Sequence, residues 1–317
     1  MISRLAILFA TAMIVLTPHG LADEKNKETK MVDGLTPLAE FIHSETMFGP
    51  ESGFTVVFEQ EPVTGPHKGD IDIAAQRLHV RNGQILWTSQ RSLPVSTSVY
   101  TEDQLDAIGD GHGGMFTVYR ATAKTGSHAD DSEILAQRIS AAGQPMWHDG
   151  QKSTVVASTE WDEIHPKLVP DSKGGVIVIY QMTTETGQHA GDSDLAARRI
   201  DGNGNLVWAA KDGVSVSNSS VHESNHAVLP LADGAVLVVF EAMPRSGERS
   251  GISGIFAQVI SVDGERVWNQ GSHPTAISLS TWSETDPVLV SDGDGGAIVV
   301  FTQHSITGEH AGDKDLA

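Results

Sequence analysis

The chain has no cysteine among its 317 residues. It therefore has no disulfide bridge, no thiolate metal ligand and no cysteine nucleophile. Disulfides are not needed at this length, because a chain of about 300 residues buries roughly three quarters of the surface that its unfolded state exposes. The sequence thus excludes cysteine chemistry but allows a stable hydrophobic core.

Positive charge is also scarce. The 21 Lys and Arg residues face 41 Asp and Glu residues, and the formal net charge is −20. A strongly acidic protein is repelled by nucleic acid and by anionic membrane surfaces. We therefore expect a well-solvated acidic surface and no nucleic-acid partner.

Long apolar runs are missing beyond the N-terminus. Residues 5–16 are almost wholly apolar, and Gly20 and Ala22 place small residues before a cleavage point after Ala22. The pattern predicts a signal peptide over residues 1–22, a flexible linker over 23–32, and a secreted, periplasmic or cell-surface location. The run is shorter than the roughly 20 residues of a membrane span, so we expect no integral membrane protein after cleavage.

Helical periodicity is absent, and an internal repeat is present instead. Five segments begin with small residues, alternate apolar side chains and end on an aromatic marker. These markers are Phe58, Tyr119, Tyr180, Phe240 and Phe301, with steps of 61, 61, 60 and 61 residues. The same spacing separates Ala75, Ala136, Ala197 and Ala257, and also Trp87, Trp147, Trp208 and Trp268. Three independent sets with one period indicate internal duplication.

Each repeat reads as four short strands bounded by Gly, Asp and Asn turns. Several such units without helices favour an all-β protein, a β-propeller with blades of about 61 residues. A β-solenoid is the alternative. The sequence predicts one propeller domain over residues 33–317. Its blades are expected at 36–98, 99–159, 160–220, 221–280 and 281–317.

The fifth unit stops at Ala317, where its third strand begins. Residues 32–40, VDGLTPLAE, resemble the fourth-strand segment KDGVSVSNS of residues 211–219. We therefore expect the N-terminal strand 32–40 to complete the last blade and to close a ring of five. A truncated longer array explains the same ending.

Two segments carry a resemblance to a known group of proteins. DIAAQRLHVRNGQILW (residues 72–87) and DLAARRIDGNGNLVW (residues 194–208) resemble the DIYAQR-like repeats of bacterial secreted and surface β-propeller proteins. The resemblance extends over roughly residues 33–317. It implies a propeller architecture and carries no particular activity.

Acidic pairs recur in the loop before the third strand of a repeat, three residues after a histidine. The pairs are Asp70 and Asp72, Asp131 and Glu133, Asp192 and Asp194, and Asp313 and Asp315. Paired carboxylates beside an imidazole suit Ca²⁺ or a transition ion. Loop capping and pairing with an arginine of a neighbouring strand are the alternative. Ca²⁺ is the one cofactor that the sequence suggests.

A second recurring set lies where one blade passes to the next. It comprises Tyr100, Trp161, His222 and Trp282, followed two residues later by Glu102, Glu163, Ser224 and Glu284. Aromatic rings stack on apolar sugar faces and carboxylates accept hydroxyl hydrogen bonds, so we expect a ligand-binding rim at one mouth of the channel. Interblade packing is the alternative.

No sequence motif of a catalytic site is present: there is no G-x-S-x-G, H-E-x-x-H or P-loop. The acids recur from unit to unit, which suits repeated binding more than a single reaction centre. We expect an exported non-catalytic binding or scaffold protein for a glycan, a protein or a cation. The alternatives are a polysaccharide-active glycoside hydrolase, with Asp286 and Glu163 as candidate carboxylates, and a structural spacer or fragment of a larger surface protein.

Overall fold

The computed structural model describes most of the chain after residue 38. The described residues are 39–48, of which only the backbone is described, and 53–62, 69–87, 92–96, 98, 100–124, 131–184, 191–210, 213–217, 221–245, 247–305 and 312–317. The predicted signal peptide and linker lie outside them.

Five antiparallel sheets follow one another along the chain. Sheet 1 contains β1 (Ala39–Phe48), β2 (Gly53–Pro62), β3 (Asp72–His79) and β4 (Leu93–Pro94). Sheet 2 contains β5 (Thr101–Gly109), β6 (Met115–Thr122), β7 (Ser132–Ile139) and β8 (Thr154–Ala157). Sheet 3 contains β9 (Asp162–Pro170), β10 (Val176–Thr184), β11 (Asp192–Ile200) and β12 (Val214–Ser215).

Sheet 4 contains β13 (His222–Pro230), β14 (Val236–Met243), β15 (Gly254–Ile260) and β16 (Thr275–Ser278). Sheet 5 contains β17 (Ser283–Ser291), β18 (Ala297–His304) and β19 (Lys314–Leu316). No α-helix occurs in the described residues, and single 3₁₀ turns lie at Trp147–Gly150 and Trp268–Gly271. The predicted all-β propeller of four-stranded blades is confirmed, with five sheets.

The first strand of each sheet is the innermost one. The consecutive first strands β1, β5, β9, β13 and β17 contact one another in order. They therefore lie side by side around a common axis from β1 to β17, and the later strands of each sheet lie further out. This arrangement puts any residue that recurs on the first strand at one level of a central channel.

The hydrophobic core lies between consecutive sheets. Between sheets 2 and 3, for example, Phe116 and Trp147 pack with Val176, Val178 and Tyr180. The marker aromatics Tyr119, Tyr180 and Phe240 have no exposed surface. Small alternating residues on the facing strands allow this close packing of sheet on sheet.

The tryptophan markers join each sheet to the next. Trp147 Nε1 donates to the carbonyl of Gly202 in sheet 3 at 3.1 Å. Trp87 reaches the carbonyl of Ala141 at 2.9 Å, and Trp208 reaches that of Val262 at 3.1 Å. The shared period of Gly and Trp therefore arises from a contact that each repeat makes with the next one.

The arginine of the repeat makes a parallel link. Arg199 Nε binds Asp171 Oδ2 at 2.8 Å within sheet 3, and Arg199 Nη1 reaches the carbonyl of Val262 in the next hairpin at 3.4 Å. Arg138 binds Asp110 at 2.9 Å and the carbonyl of Gly202 at 3.3 Å in the same way. The aspartates of the turns and the arginines of the third strands thus fix the distance between neighbouring blades.

Sheet 5 keeps one apolar face exposed. Val290, Ile298 and Val300 are 59%, 54% and 37% exposed. Their equivalents in sheet 4, which are Leu229, Leu237 and Val239, pack against sheet 5. Among the described residues, no sheet takes the corresponding place on sheet 5.

The predicted closing strand 32–40 is described only at its last two residues. Ala39 pairs with Pro62 and Glu40 with Glu61, both in sheet 1. For these two residues the expectation that they complete the last blade is wrong, because they begin the innermost strand of the first. Residues 32–38 lie outside the described residues.

Candidate functional site

The recurring glutamates lie in the interior. Strand register aligns four of them, each opposite the residue two positions after a marker aromatic: Glu102, Glu163, Glu223 and Glu284. All four are 0–1% exposed. The alignment of the repeats from sequence alone was shifted by one residue in the fourth unit. There Val221 and Glu223 occupy the positions that were assigned to His222 and Ser224.

These glutamates hold the chain where it crosses from one sheet to the next. Glu102 accepts hydrogen bonds from the hydroxyls of Ser96 and Ser98, the latter at 2.7 Å, and from Ile73 N at 3.3 Å. Glu284 accepts from Ser278 Oγ at 2.6 Å. Burial raises the pKa of Glu102 and of Glu163 to about 7. With no exposed surface, they do not present a carboxylate to a dissolved ligand.

The other rim residues are half-buried. Tyr100 packs on the core between sheets 1 and 2. Trp161 and Trp282 directly precede the inner strands β9 and β17. His222 lies apart from them, in a shallow surface pocket of about 420 Å³ beside Arg245. Of the predicted rim residues, therefore, only the aromatics Tyr100, Trp161 and Trp282 lie near the channel mouth at which the inner strands begin.

The predicted metal residues do not form a cluster among the described residues, where no group of three or more His, Asp or Glu side chains could hold an ion. Lys124 Nζ contacts Asp70. Glu133 accepts from Ser158 Oγ at 2.7 Å. Asp72 and Asp194 are half-buried, and Asp131, Asp313 and Asp315 are exposed. The loop histidines and the side chain of Asp192 lie outside the description, so Ca²⁺ stays a prediction.

A ring of strained residues lies on the inner strands, a few positions past the glutamates. Each inner strand has a β-bulge there, and four bulges carry a non-glycine residue with positive φ. They are Gln104, His165, Asn225 and Asp286, with φ of 52°, 50°, 44° and 54°. We call this set the bulge ring. Bulges and strained backbones cluster at functional sites, because they aim side chains that regular strands would not.

Polar side chains of the second strands support the bulge ring. They follow the marker aromatics directly and are Glu59, Arg120, Gln181, Glu241 and Thr302. Glu241 Oε1 accepts from Asn225 Nδ2 at 2.8 Å and from Asp286 N at 2.6 Å, and so joins sheets 4 and 5. Gln104 Oε1 accepts from His165 N at 2.6 Å and joins sheets 2 and 3.

The chemistry differs from blade to blade around this ring. In sheet 2, Arg120 binds both oxygens of Asp103, at 2.7 and 2.6 Å. In sheet 5, Thr285 Oγ1 and His304 Nε2 lie 2.9 Å apart. Asymmetry of this kind is what a single reaction centre needs, and it was not visible in the recurring acids.

Glu241 is a buried carboxyl group at the ring whose pKa is raised. It is 6% exposed. Burial raises its pKa, and the charge of Asp286 adds to the rise, while the hydrogen bonds from Asp286 N and Asn225 oppose it. Asp286 itself is exposed. A buried carboxyl group of raised pKa and an exposed carboxyl group are thus neighbours across one blade junction.

Further along the inner strands, the ring opens into a central cavity of about 540 Å³. Asp106, Lys167 and His226 are its charged or titratable lining residues. The sequence did not single out Glu241, His226 or Glu223. The signal for Glu241 was a polar residue directly after each apolar run, a position occupied in order by Glu, Arg, Gln, Glu and Thr.

Comparisons with known proteins bear on this fold. No protein-family model and no curated protein sequence matches the chain. Among solved structures it is similar to an endo-arabinase from Bacteroides thetaiotaomicron, at 12% identity over 84% of this chain and 88% of the other, with a TM-score of 0.39. A thermostable family-43 glycoside hydrolase matches at 11% identity over 87% and 88% of the chains, with a TM-score of 0.42. The polysaccharide lyase Uly1 matches at 10% over 86% and 75%, with a TM-score of 0.47.

The neighbours are an endo-arabinase, a glycoside hydrolase and a polysaccharide lyase, which counts against the expectation of a non-catalytic binding or scaffold protein; for this chain the likeness itself shows the fold alone. The physical reason for the difference is that the recurring glutamates on which it relied are interior residues, whereas the polar residue after the marker aromatic varies around the ring. Among the described residues, no helix has the length and apolar character needed to cross a bilayer.

Proposed function

We propose that this chain is a polysaccharide-active glycoside hydrolase, with Glu241 as the general acid and Asp286 as its partner carboxylate. The observation that supports this assignment is the junction of sheets 4 and 5. There a buried carboxyl of raised pKa hydrogen-bonds the strained bulge that presents Asp286. Glycoside hydrolysis uses two carboxyl groups held in different environments, one protonated and one ionised.

The different environments of the Glu241 and Asp286 carboxyl groups suit them to different steps of hydrolysis. The raised pKa of Glu241 favours its protonated form, which can donate the proton to the glycosidic oxygen as the carbon–oxygen bond breaks. Asp286 is exposed and therefore accessible to substrate and water. It either takes a proton from the attacking water or attacks the sugar carbon and is later released by water. In both routes water adds across the glycosidic bond, and Glu241 supplies the leaving-group proton.

The surroundings favour a sugar substrate. Trp161 and Trp282 are half-buried aromatics directly before two inner strands, and such rings stack on apolar sugar faces. The polar side chains of Gln104 and Asn225 lie on the bulge ring and are suited to hydroxyl hydrogen bonds. An extracellular polysaccharide also agrees with the predicted signal peptide, which stays a prediction.

The test is release of reducing ends from a panel of neutral and acidic polysaccharides. We expect turnover of at least one of them by the wild type. We expect Glu241→Gln to lower the rate by about 10²–10⁴-fold, the usual contribution of a general acid. The matched control is Glu265→Gln, an exposed glutamate in a hairpin of the same sheet. Equal loss in both variants, or full activity of Glu241→Gln, would contradict the assignment.

A further inference from the structure

The central cavity is lined by two polar side chains that do not follow the repeat pattern. Most of its lining is apolar, including Ile108, Val169, Val228, Pro230 and Leu289. Lys167 and His226 interrupt this lining, on the inner strands of sheets 3 and 4. Neither belongs to the Glu241–Asp286 junction.

His226 occupies a place that is apolar in three of the other four blades. The equivalent residues there are Leu105, Pro166 and Pro287, all buried, and the first blade has Ser44. His226 is only 8% exposed, and within the described residues neither of its ring nitrogens has a hydrogen-bond partner. The backbone of Ile179 lies beside it without the geometry of a hydrogen bond. A buried polar group left unpaired destabilises a protein by about 1–3 kcal/mol, so such a group needs an explanation.

The histidine is uncharged at neutral pH. Burial lowers its pKa to about 3, and the positive charge of Lys167 adds to the effect. A neutral imidazole carries one N–H donor and one acceptor nitrogen. Within this cavity, therefore, His226 offers a donor that no described protein group takes.

Lys167 brings a positive charge to the same place. The equivalent residues in the other blades are Glu45, Asp106, Ala227 and Val288, so a cation appears at this level only once among the described strands. Lys167 forms no ion pair in the described part of the chain. Asp106 is turned towards the backbone of sheet 3, where its Oδ2 accepts from Leu168 N at 2.9 Å.

We propose that the central cavity is a binding site for a carboxylate-bearing molecule of about monosaccharide size. The ammonium of Lys167 supplies the charge, His226 donates a hydrogen bond to the carboxylate, and the proline and aliphatic wall covers the rest of the ligand. A volume of about 540 Å³ exceeds the needs of a single ion and is in the range of small-molecule sites. The site is distinct from the proposed hydrolytic centre and does not depend on it.

The experiment is isothermal titration with D-glucuronate, with D-glucose as the neutral probe and sodium chloride at matched ionic strength. We expect saturable binding of D-glucuronate by the wild-type protein. Binding should weaken at least about tenfold, equivalent to 1.4 kcal/mol, in Lys167→Met and in His226→Leu. Lys173→Met, at an exposed turn of the same sheet, is the control and should bind as the wild type does.

Thermal unfolding separates a lost ligand site from a lost fold. Without ligand, His226→Leu should melt at or above the wild-type temperature, because leucine removes an unpaired polar group from an apolar place. D-glucuronate should raise the melting temperature of the wild type and not that of this variant. The proposal is overturned if no D-glucuronate binding occurs at millimolar concentration, if D-glucose binds equally well, or if Lys173→Met loses as much affinity as Lys167→Met.

Discussion

Substitution of Gly204 by alanine tests the contact that joins consecutive blades. Gly204 has φ of +89°, and an added Cβ would lie 2.6 Å from Trp147 Cγ and 2.9 Å from Cδ2. Trp147 is 1% exposed and is packed between sheets 2 and 3, so the ring has no free space to enter. The left-handed backbone costs an alanine about 1–2 kcal/mol. Overpacking a filled core adds about 1–3 kcal/mol.

The expected loss for Gly204→Ala is therefore roughly 2–5 kcal/mol, or about 4–10 °C in melting temperature at roughly 2 °C per kcal/mol for a chain of this size. Gly174→Ala in the same sheet is the control. Its φ is +87°, and nothing lies within 4 Å of the added Cβ. It meets only the backbone penalty of about 1–2 kcal/mol. Chemical denaturation of both variants measures the difference. Equal losses would refute the account of Trp147 as a link between blades.

Two further predictions concern buried charge. Burial raises the pKa of Glu102 and Glu163 from 4.5 to about 7, so the native state loses stability relative to the unfolded chain as pH rises through this interval. The double variant Glu102→Gln, Glu163→Gln should therefore gain stability over the wild type between pH 4.5 and 7 in melting experiments, and a pH-independent difference would contradict this. Arg199→Met should destabilise by about 3–5 kcal/mol, because it leaves Asp171 charged and fully buried. Lys124→Met, which breaks a more exposed pair, should change stability by less than about 1 kcal/mol, and similar losses in both variants would be inconsistent with the burial argument.

Much of the fold could be predicted from the sequence because each sheet must pack against its neighbours in the same way. The marker aromatics, the alanines and the Gly–Trp pairs all occupy positions that face a neighbouring blade, so their common period gives the number of blades and the blade length. Trp147 over Gly204 shows this directly. The ends of the array have no such constraint, and there the prediction of strand 32–40 was wrong for Ala39 and Glu40.

The candidate site could not be predicted in the same way. Periodicity identifies what the blades share. The shared glutamates, such as Glu163, are buried and hold the chain where it crosses between sheets. Catalytic groups are expected where blades differ. Glu241 and Asp286 lie far apart in sequence, and only the bulges that aim the inner-strand residues bring them together. A bulge adds one unpaired residue to a strand without any distinct sequence signature.

Hydrolysis in isotopically heavy water tests the central claim most directly. The wild-type protein would be incubated with the polysaccharide panel in H₂¹⁸O, and the products would be analysed by mass spectrometry. The account predicts saturated oligosaccharides that carry one ¹⁸O at the new reducing end, and their loss in Glu241→Gln. Unsaturated products without the label would indicate a lyase, and intact polysaccharides across the panel would indicate no cleavage. Either result would contradict the assignment of Glu241 and Asp286 as a hydrolytic pair.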